Sequence, residues 1–177
     1  MAVLPILHLP DPRLRQKAKK VQTIDASLQR LIDDMVDTMH DAHGVGLAAT
    51  QVGVPLRVCV IETADDGTVV LVNPQIIERR GEREVAEGCL SLPGYQGTVK
   101  RAELVKAKGL DRNGREIRVR GDGLLAQALE HELDHLDGIV YVDRLDSLDD
   151  LYEIKPEEAE AAAQEPAETP APGGANA

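Results

Sequence analysis

Gly123-Leu-Leu-Ala-Gln-Ala-Leu-Glu-His-Glu-Leu-Asp-His-Leu-Asp-Gly138 carries both a helix and the chemistry of this chain. Leu124, Leu125, Ala128, Leu129, Leu133 and Leu136 recur at the spacing of a helix with an apolar face. Gly138 is well placed to stop it. Inside it lies His131-Glu132-Leu133-Asp134-His135. At about 100° per residue the two histidines stand about 40° apart and Glu132 about 60° from His135, so all three project from one sector. Two imidazoles one turn apart can share one metal ion, and the carboxylate between them can reach a water on it. The competing reading is two surface histidines on a charged face. The leucines that bury this helix count against it, because buried histidines need partners.

A catalytic site of this kind needs a third protein ligand. The extended zinc-protease pattern would place a histidine where this chain has Tyr141, although its glycine is present as Gly138. Under a metallopeptidase reading, Asp143 or Glu153 would have to serve as a carboxylate ligand. Elsewhere the sequence offers His8, His40, His43 and the thiols of Cys59 and Cys89. Cys59 sits in a strand pattern at 57–61 and reads as a small buried hydrophobe. Cys89 lies in Glu87-Gly-Cys-Leu-Ser-Leu-Pro-Gly94, where Gly88 permits close backbone approach and Pro93-Gly94 turns the chain. A thiolate and two imidazoles would leave a fourth position for water. Spacing alone leaves Cys89 open between ligand and structural residue.

Outward from this helix, Leu28, Leu31, Ile32, Met35 and Met39 predict an N-terminal amphipathic helix between Asp25 and Asp41. Residues 4–9 read as an extended entry, and Asp11-Pro12 as a helix cap. Residues 57–61 and 69–77 are β-branched runs joined by Asp65-Asp66-Gly67, which predicts a hairpin. A second hairpin is expected where 99–110 and 115–119 flank Asn113-Gly114. Gly44-Val-Gly-Leu-Ala-Ala-Thr-Gln51 shows no period and by itself reads as a small-residue packing turn. After Leu151 the apolar pattern stops, and Pro166, Pro170, Pro172, Gly173 and Gly174 oppose regular structure. The expectation is one α+β domain over 1–153, with antiparallel sheets packed around the metal-binding helix, and an acidic, disordered tail over 154–177.

Composition narrows the function classes. The 177 residues include no Trp, no Phe and three Tyr, which argues against base-stacking nucleic-acid modules. The net charge of −11 is concentrated late: residues 143–177 hold ten acids against Arg144 and Lys155. A nearly balanced body gives no electrostatic case for DNA. No run is long enough to span a membrane, and the apolar start lacks the basic region of a signal peptide. Two cysteines fit a reduced, cytoplasmic protein better than a disulfide scaffold.

Three blocks taken together, GVGLAATQ at 44–51, EGCLS at 87–91 and HELDH at 131–135, closely resemble the signature of the peptide deformylase family. The resemblance covers about residues 1–145. It implies an α+β metal-dependent hydrolase that removes the formyl group from N-terminal formylmethionine of nascent chains, releasing formate. It implies Cys89, His131 and His135 as metal ligands, with Glu132 as general base and acid for attack of a metal-bound water. Gln51 and the Leu90 backbone N–H match oxyanion donors. Val45, Gly46, Gly88, Leu124, Gln127 and Ala128 match substrate-binding positions, and Glu87 matches a carboxylate paired with an arginine, here Arg101. The implied metal is ferrous iron, with zinc, nickel or cobalt as alternatives. The implied partners are N-formylmethionyl nascent peptides and the ribosome exit region. The basic C-terminal helix of enterobacterial relatives is replaced here by the acidic tail. Two other functions compete: an HExxH metallopeptidase with a downstream carboxylate ligand, and an inactive metal-binding interaction module.

Overall fold

The structure is a computed structural model, described here over residues 2–155. In chain order its elements are α1 (Ala26–Asp41), β1 (Gly46–Ala48), β2 (Val58–Thr63), β3 (Gly67–Arg80) and β4 (Arg83–Cys89). There follow β5 (Leu92–Arg101), β6 (Leu104–Leu110), β7 (Glu116–Asp122), α2 (Gly123–Leu136) and β8 (Leu151–Glu153). A five-stranded antiparallel sheet has the order β1-β2-β3-β6-β7, and a three-stranded one the order β4-β5-β8.

Alternation along β2 explains the layering. Cys59 and Ile61 face α2, where they meet Ala126, Leu129 and Leu133 with Leu71, Val105 and Ala107. Val58 and Val60 face α1 and join Leu28, Ile32, Met35 and Met39. The large sheet is therefore covered on both faces, and 58–61 can be apolar throughout because neither side meets water. Burial pushes the Cys59 thiol well above its ordinary pKa, which suits an inert packing residue.

Both predicted helices form. Asp25 caps α1 by accepting the Leu28 N–H, and the expected stripe is buried apart from half-buried Leu31. Asp11 accepts the Arg13 N–H ahead of a short 3-10 turn at Pro12–Arg15. Beyond α2, Gly138 has φ 77° and lies against the Arg15 carbonyl with no room for a Cβ. No L-residue with a side chain fits there without moving the strap that covers the helix end.

Two expectations need correction. The run 99–110 is not one strand: it breaks at Ala102-Glu103, and its halves enter different sheets. Arg101 turns inward to two carboxylates and the Ala102 N–H is taken by the buried Glu130, so the ladder cannot continue. The expected hairpin across Asn113-Gly114 does form, between β6 and β7, and turns through 111–115 with the Asp111 carboxylate accepting from the Asn113 and Arg115 N–H groups. The second correction concerns the stretch after Leu151. It does dock, as β8 paired with β5 through Gly97↔Leu151, Gln96↔Tyr152 and Tyr95↔Glu153. A three-residue strand is too short to show a period in sequence. β1 and β4 gave no strand signal either, being rich in glycine, alanine and charge. Apart from Ile154 and Lys155, the expected tail 154–177 lies outside the described residues.

Candidate metal centre

Two elements supply the donors. His131 and His135 are buried on α2, and Cys89 ends β4 where its pairing with β5 shifts register between Gly88 and Cys89. The Cys89 Sγ lies 3.2 Å from His135 Nε2, and the two Nε2 atoms are 3.1 Å apart. All three ligand atoms fall within 4.8 Å of one another, and no other such group of His, Cys, Asp and Glu occurs among the described residues. One thiolate and two imidazoles in that volume fit a single divalent ion. Asp143 is elsewhere: its carboxylate is taken by Arg15 and the Val140 N–H. Glu153 lies on β8. Neither carboxylate belongs to the donor group.

The histidines are held from behind. His131 donates its Nδ1–H to Glu87 at 2.8 Å, which directs Nε2 towards the donor group. Arg101 grips the same Glu87 through Nε at 3.0 Å and Nη2 at 2.6 Å, and reaches Asp134 through Nη1 at 2.7 Å. Arg144 closes on the other Asp134 oxygen at 2.7 Å. Sequence reading had Glu87 and Arg101 but missed Arg144, whose partner is ten residues away and has no pattern tying it there. Burial tends to raise the Glu87 pKa, but hydrogen bonds from His131 and Arg101 overcome it and hold the carboxyl down at about 2. Arg101→Ala would leave Glu87 and Asp134 charges buried beneath the centre. We expect it to cost about 3–5 kcal/mol of unfolding free energy, measured in urea on metal-loaded protein. A cost under about 1 kcal/mol, the value of a surface pair, would show that the pairs are not coupled to folding.

Glu132 leans over β1. Its carboxylate is buried, with Oε2 free of any hydrogen-bond partner, and it occupies the space a Cβ on Gly46 would need. Burial first, and then the negative charge of Glu87, push its pKa up to about 7 against the opposing pull of His131 and Arg101. Gln51 is fixed from both ends. Its Oε1 accepts the Ala48 N–H at 2.9 Å, and its Nε2 donates to Ser91 Oγ at 3.1 Å and approaches Cys89 Sγ at 3.6 Å. Ser91, which sequence reading did not single out, also donates its backbone N–H to Cys89 Sγ at 3.4 Å.

These groups line a cleft of about 400 Å³ between the edges of the two sheets. The cleft is lined by Val45, Gly46, Gln51, Gly88, Cys89, Leu90, Leu124, Gln127, Ala128, His131 and Glu132 among others. All of the expected site residues but His135, which lies deeper, thus face one space. The Gln127 side chain spans the wall and donates to the Ala86 carbonyl at 3.1 Å. His43, offered above as a candidate donor, borders the cleft too, as do Tyr95, Gln96 and Ile154, to which the sequence assigned no function.

The sequence profile described as Polypeptide deformylase matches residues 3–150. A Peptide deformylase of Dehalococcoides mccartyi is 57% identical over 159 residues, covering 89% of this chain and 95% of that protein. One from Heliobacterium modesticaldum is 54% identical over 147 residues, 83% of this chain and 97% of its own length. The crystal structure of a peptide deformylase from Legionella pneumophila superposes with a TM-score of 0.79 at 46% identity, covering 93% of this chain and 100% of that one. The peptide deformylase of Synechococcus elongatus in complex with actinonin gives 0.80 at 42% identity, over 83% and 81% of the two chains. With the three sequence blocks gathered around a single Cys/His/His group, the chain belongs to the polypeptide deformylase family.

Proposed function

We propose that this peptide deformylase acts through Glu132, Gln51 and the Leu90 backbone N–H, around one divalent ion held by Cys89, His131 and His135. The observation that carries the roles is the buried Glu132 carboxylate, with one oxygen unpartnered, lining the same cleft as the donor group. A divalent ion on those donors supplies Lewis acidity, acidifying water and polarising the formyl oxygen. Glu132 takes a proton from the attacking water as its oxygen bonds to the formyl carbon. The Gln51 amide and the Leu90 N–H donate hydrogen bonds to the charge that builds on the former carbonyl oxygen. As the carbon–nitrogen bond breaks, Glu132 passes its proton to the departing amine, leaving formate and a free methionine N-terminus.

Selectivity follows from shape. A formyl carbon carries only hydrogen beyond its amide, so a tight floor admits it and excludes larger acyl groups. β1 and β4 are edge strands of their sheets, and an extended peptide can lie between them with Gly46 as a backbone partner. Val45, Gly88, Leu124, Gln127 and Ala128 then surround the methionine side chain. The native ion in this reading is ferrous iron, and the same donors accept zinc, nickel or cobalt. No helix among the described residues is long and apolar enough to cross a membrane. We place the protein in the cytoplasm, where formylated nascent chains leave the ribosome exit region; residues 156–177 hold five Glu and no Lys or Arg, so that stretch offers no positive charge to the ribosome.

The test is formate release from a formyl-Met peptide, with metal content measured on the same sample. No release at full metal occupancy would overturn the reading. Gly46→Ala sharpens it: the added methyl displaces the Glu132 carboxylate. We expect kcat to fall by on the order of tenfold with metal content unchanged. An unchanged kcat would mean that Glu132 need not lie where it does.

A further inference from the structure

Away from α2, the large sheet carries an unbalanced row of charge at its β7 end. Val105 and Ala107 on β6, with Ile117 and Val119 on β7, pack towards α2, so the residues alternating with them point the other way. The register there sets Lys106 opposite Arg120 and Lys108 opposite Arg118. Like charges directly opposite on an antiparallel pair are destabilising. Lys106 is paired with Glu78, but among the described residues nothing bonds to the side chains of Lys108, Arg118 or Arg120. Cations on an edge strand discourage pairing with another sheet. That accounts for Arg118 and Arg120 on β7 and leaves Lys108, on the inner strand, unexplained.

Beside this row the sheet opens into a groove. The β3–β6 ladder shifts register between Val72 and Gln75, and Gln75 lies opposite Lys108. Gln75, Lys108 and Arg118 therefore form one row across three strands, about 10 Å wide at two strand spacings. They border a hollow of about 530 Å³. A second hollow of about 440 Å³ shares Asn73 and Gln75 with it and is bordered by Lys17, Lys20 and Arg57. The Asn73 side chain accepts the Val21 N–H and donates to the Val21 carbonyl, which fastens the 17–21 segment alongside β3. Lys17 and Lys20 are as uncommitted as Lys108 and Arg118 among the described residues. Two acids border the groove: Asp137, taken by Arg57 at 2.8 Å, and Glu116. None of these residues lines the catalytic cleft.

We propose that this groove binds the phosphodiester backbone of double-stranded RNA. Cations at both ends of a long hollow match repeated negative charge rather than a single phosphate. A concave site bordered by amide, amine and guanidinium groups does not fit the flat headgroup surface of a membrane. Among the described residues no Phe, Tyr, Trp or His borders it, so bases cannot stack there as they do on single-strand binders. A duplex held through its backbone is what remains. Gln75 favours RNA over DNA: its exposed, unbonded amide can both donate to and accept from a 2′-hydroxyl beside the phosphates. The chain as a whole carries −11 and repels a polyanion, so binding has to come from such a local concentration of cations. This inference does not rest on the deformylase reading.

The test titrates the metal-loaded full chain against a fluorescent RNA duplex of about 16 base pairs and a DNA duplex of the same sequence, following anisotropy. Phosphatidylglycerol vesicles are tested alongside by co-sedimentation. The expected Kd for RNA is on the order of 10–100 µM at roughly 0.1 M salt, with log K falling against log salt at a slope of about −3 to −4 for four phosphate contacts. Lys108→Gln with Arg118→Gln should weaken binding by about tenfold and flatten the slope by about 2. Lys17→Gln with Lys20→Gln, at the other end of the groove, should do the same. The first pair removes like charges that face one another, so its melting temperature should hold or rise. The original chain should prefer RNA over DNA by about fivefold, the worth of one hydrogen bond, and Gln75→Ala should abolish that preference. Unchanged affinity and slope in both double variants would overturn the proposal. So would no binding of RNA, equal affinity for the two duplexes in the original chain, or tighter association with the vesicles than with RNA.

Discussion

Glu132→Gln is expected to keep its metal and lose turnover by on the order of a hundredfold or more. The amide has nearly the shape of the carboxylate, so the packing over Gly46 and the burial beside the donor group survive. What disappears is the ability to accept a proton from water and return it to the amine. Replacement of a buried, largely unpartnered carboxylate by an amide also removes a burial cost, so thermal stability should hold or rise. The checks are steady-state formate release and metal content on one preparation. Near-normal activity in the metal-replete variant would remove Glu132 from the mechanism.

Cys89→Ala should cut metal occupancy by roughly tenfold or more, and activity with it. The thiol sulfur sits 3.2 Å from His135 Nε2 and collects approaching N–H groups from Gln51 and Ser91. Its removal leaves two imidazoles, and no other Asp, Glu or Cys among the described residues stands close enough to complete the set. Asp143 is committed to Arg15 and the Val140 N–H. The fold should persist, because Cys89 is half-buried at the margin of a small cluster around Val99, Val140 and Tyr141. Metal analysis after dialysis, with circular dichroism as a control for folding, decides it. One ion per chain in Cys89→Ala would overturn the three-donor assignment.

The residues that act on one face of one element were legible from the sequence. His131, Glu132 and His135 share a helix sector by angular spacing, and the apolar rows of α1 and α2 follow from their periods. The resemblance carried by three short blocks then linked Cys89, Gln51 and Gly46 to that helix. Residues 57–61 read as a strand, though nothing in them told that two helices would cover its two faces.

Tertiary structure alone decided the rest, because the deciding contacts join segments without local pattern. Arg101 ends β5 since its guanidinium is drawn to Glu87 and Asp134, an attraction that depends on α2 lying across the strand. Arg144 acquires its place only when the 3-10 turn at Tyr141–Arg144 meets Asp134 on α2, and Ser91 when the turn after Cys89 meets Gln51. β8 is too short to carry a period and forms because β5 presents it an unpaired edge. A sequence determines which residues can form a helix or strand by spacing, since neighbours in an element are fixed by backbone geometry. Which edge is free, which charge is within reach and which segments meet at the cleft depend on distances between elements, and these are set only when the sheets and helices pack.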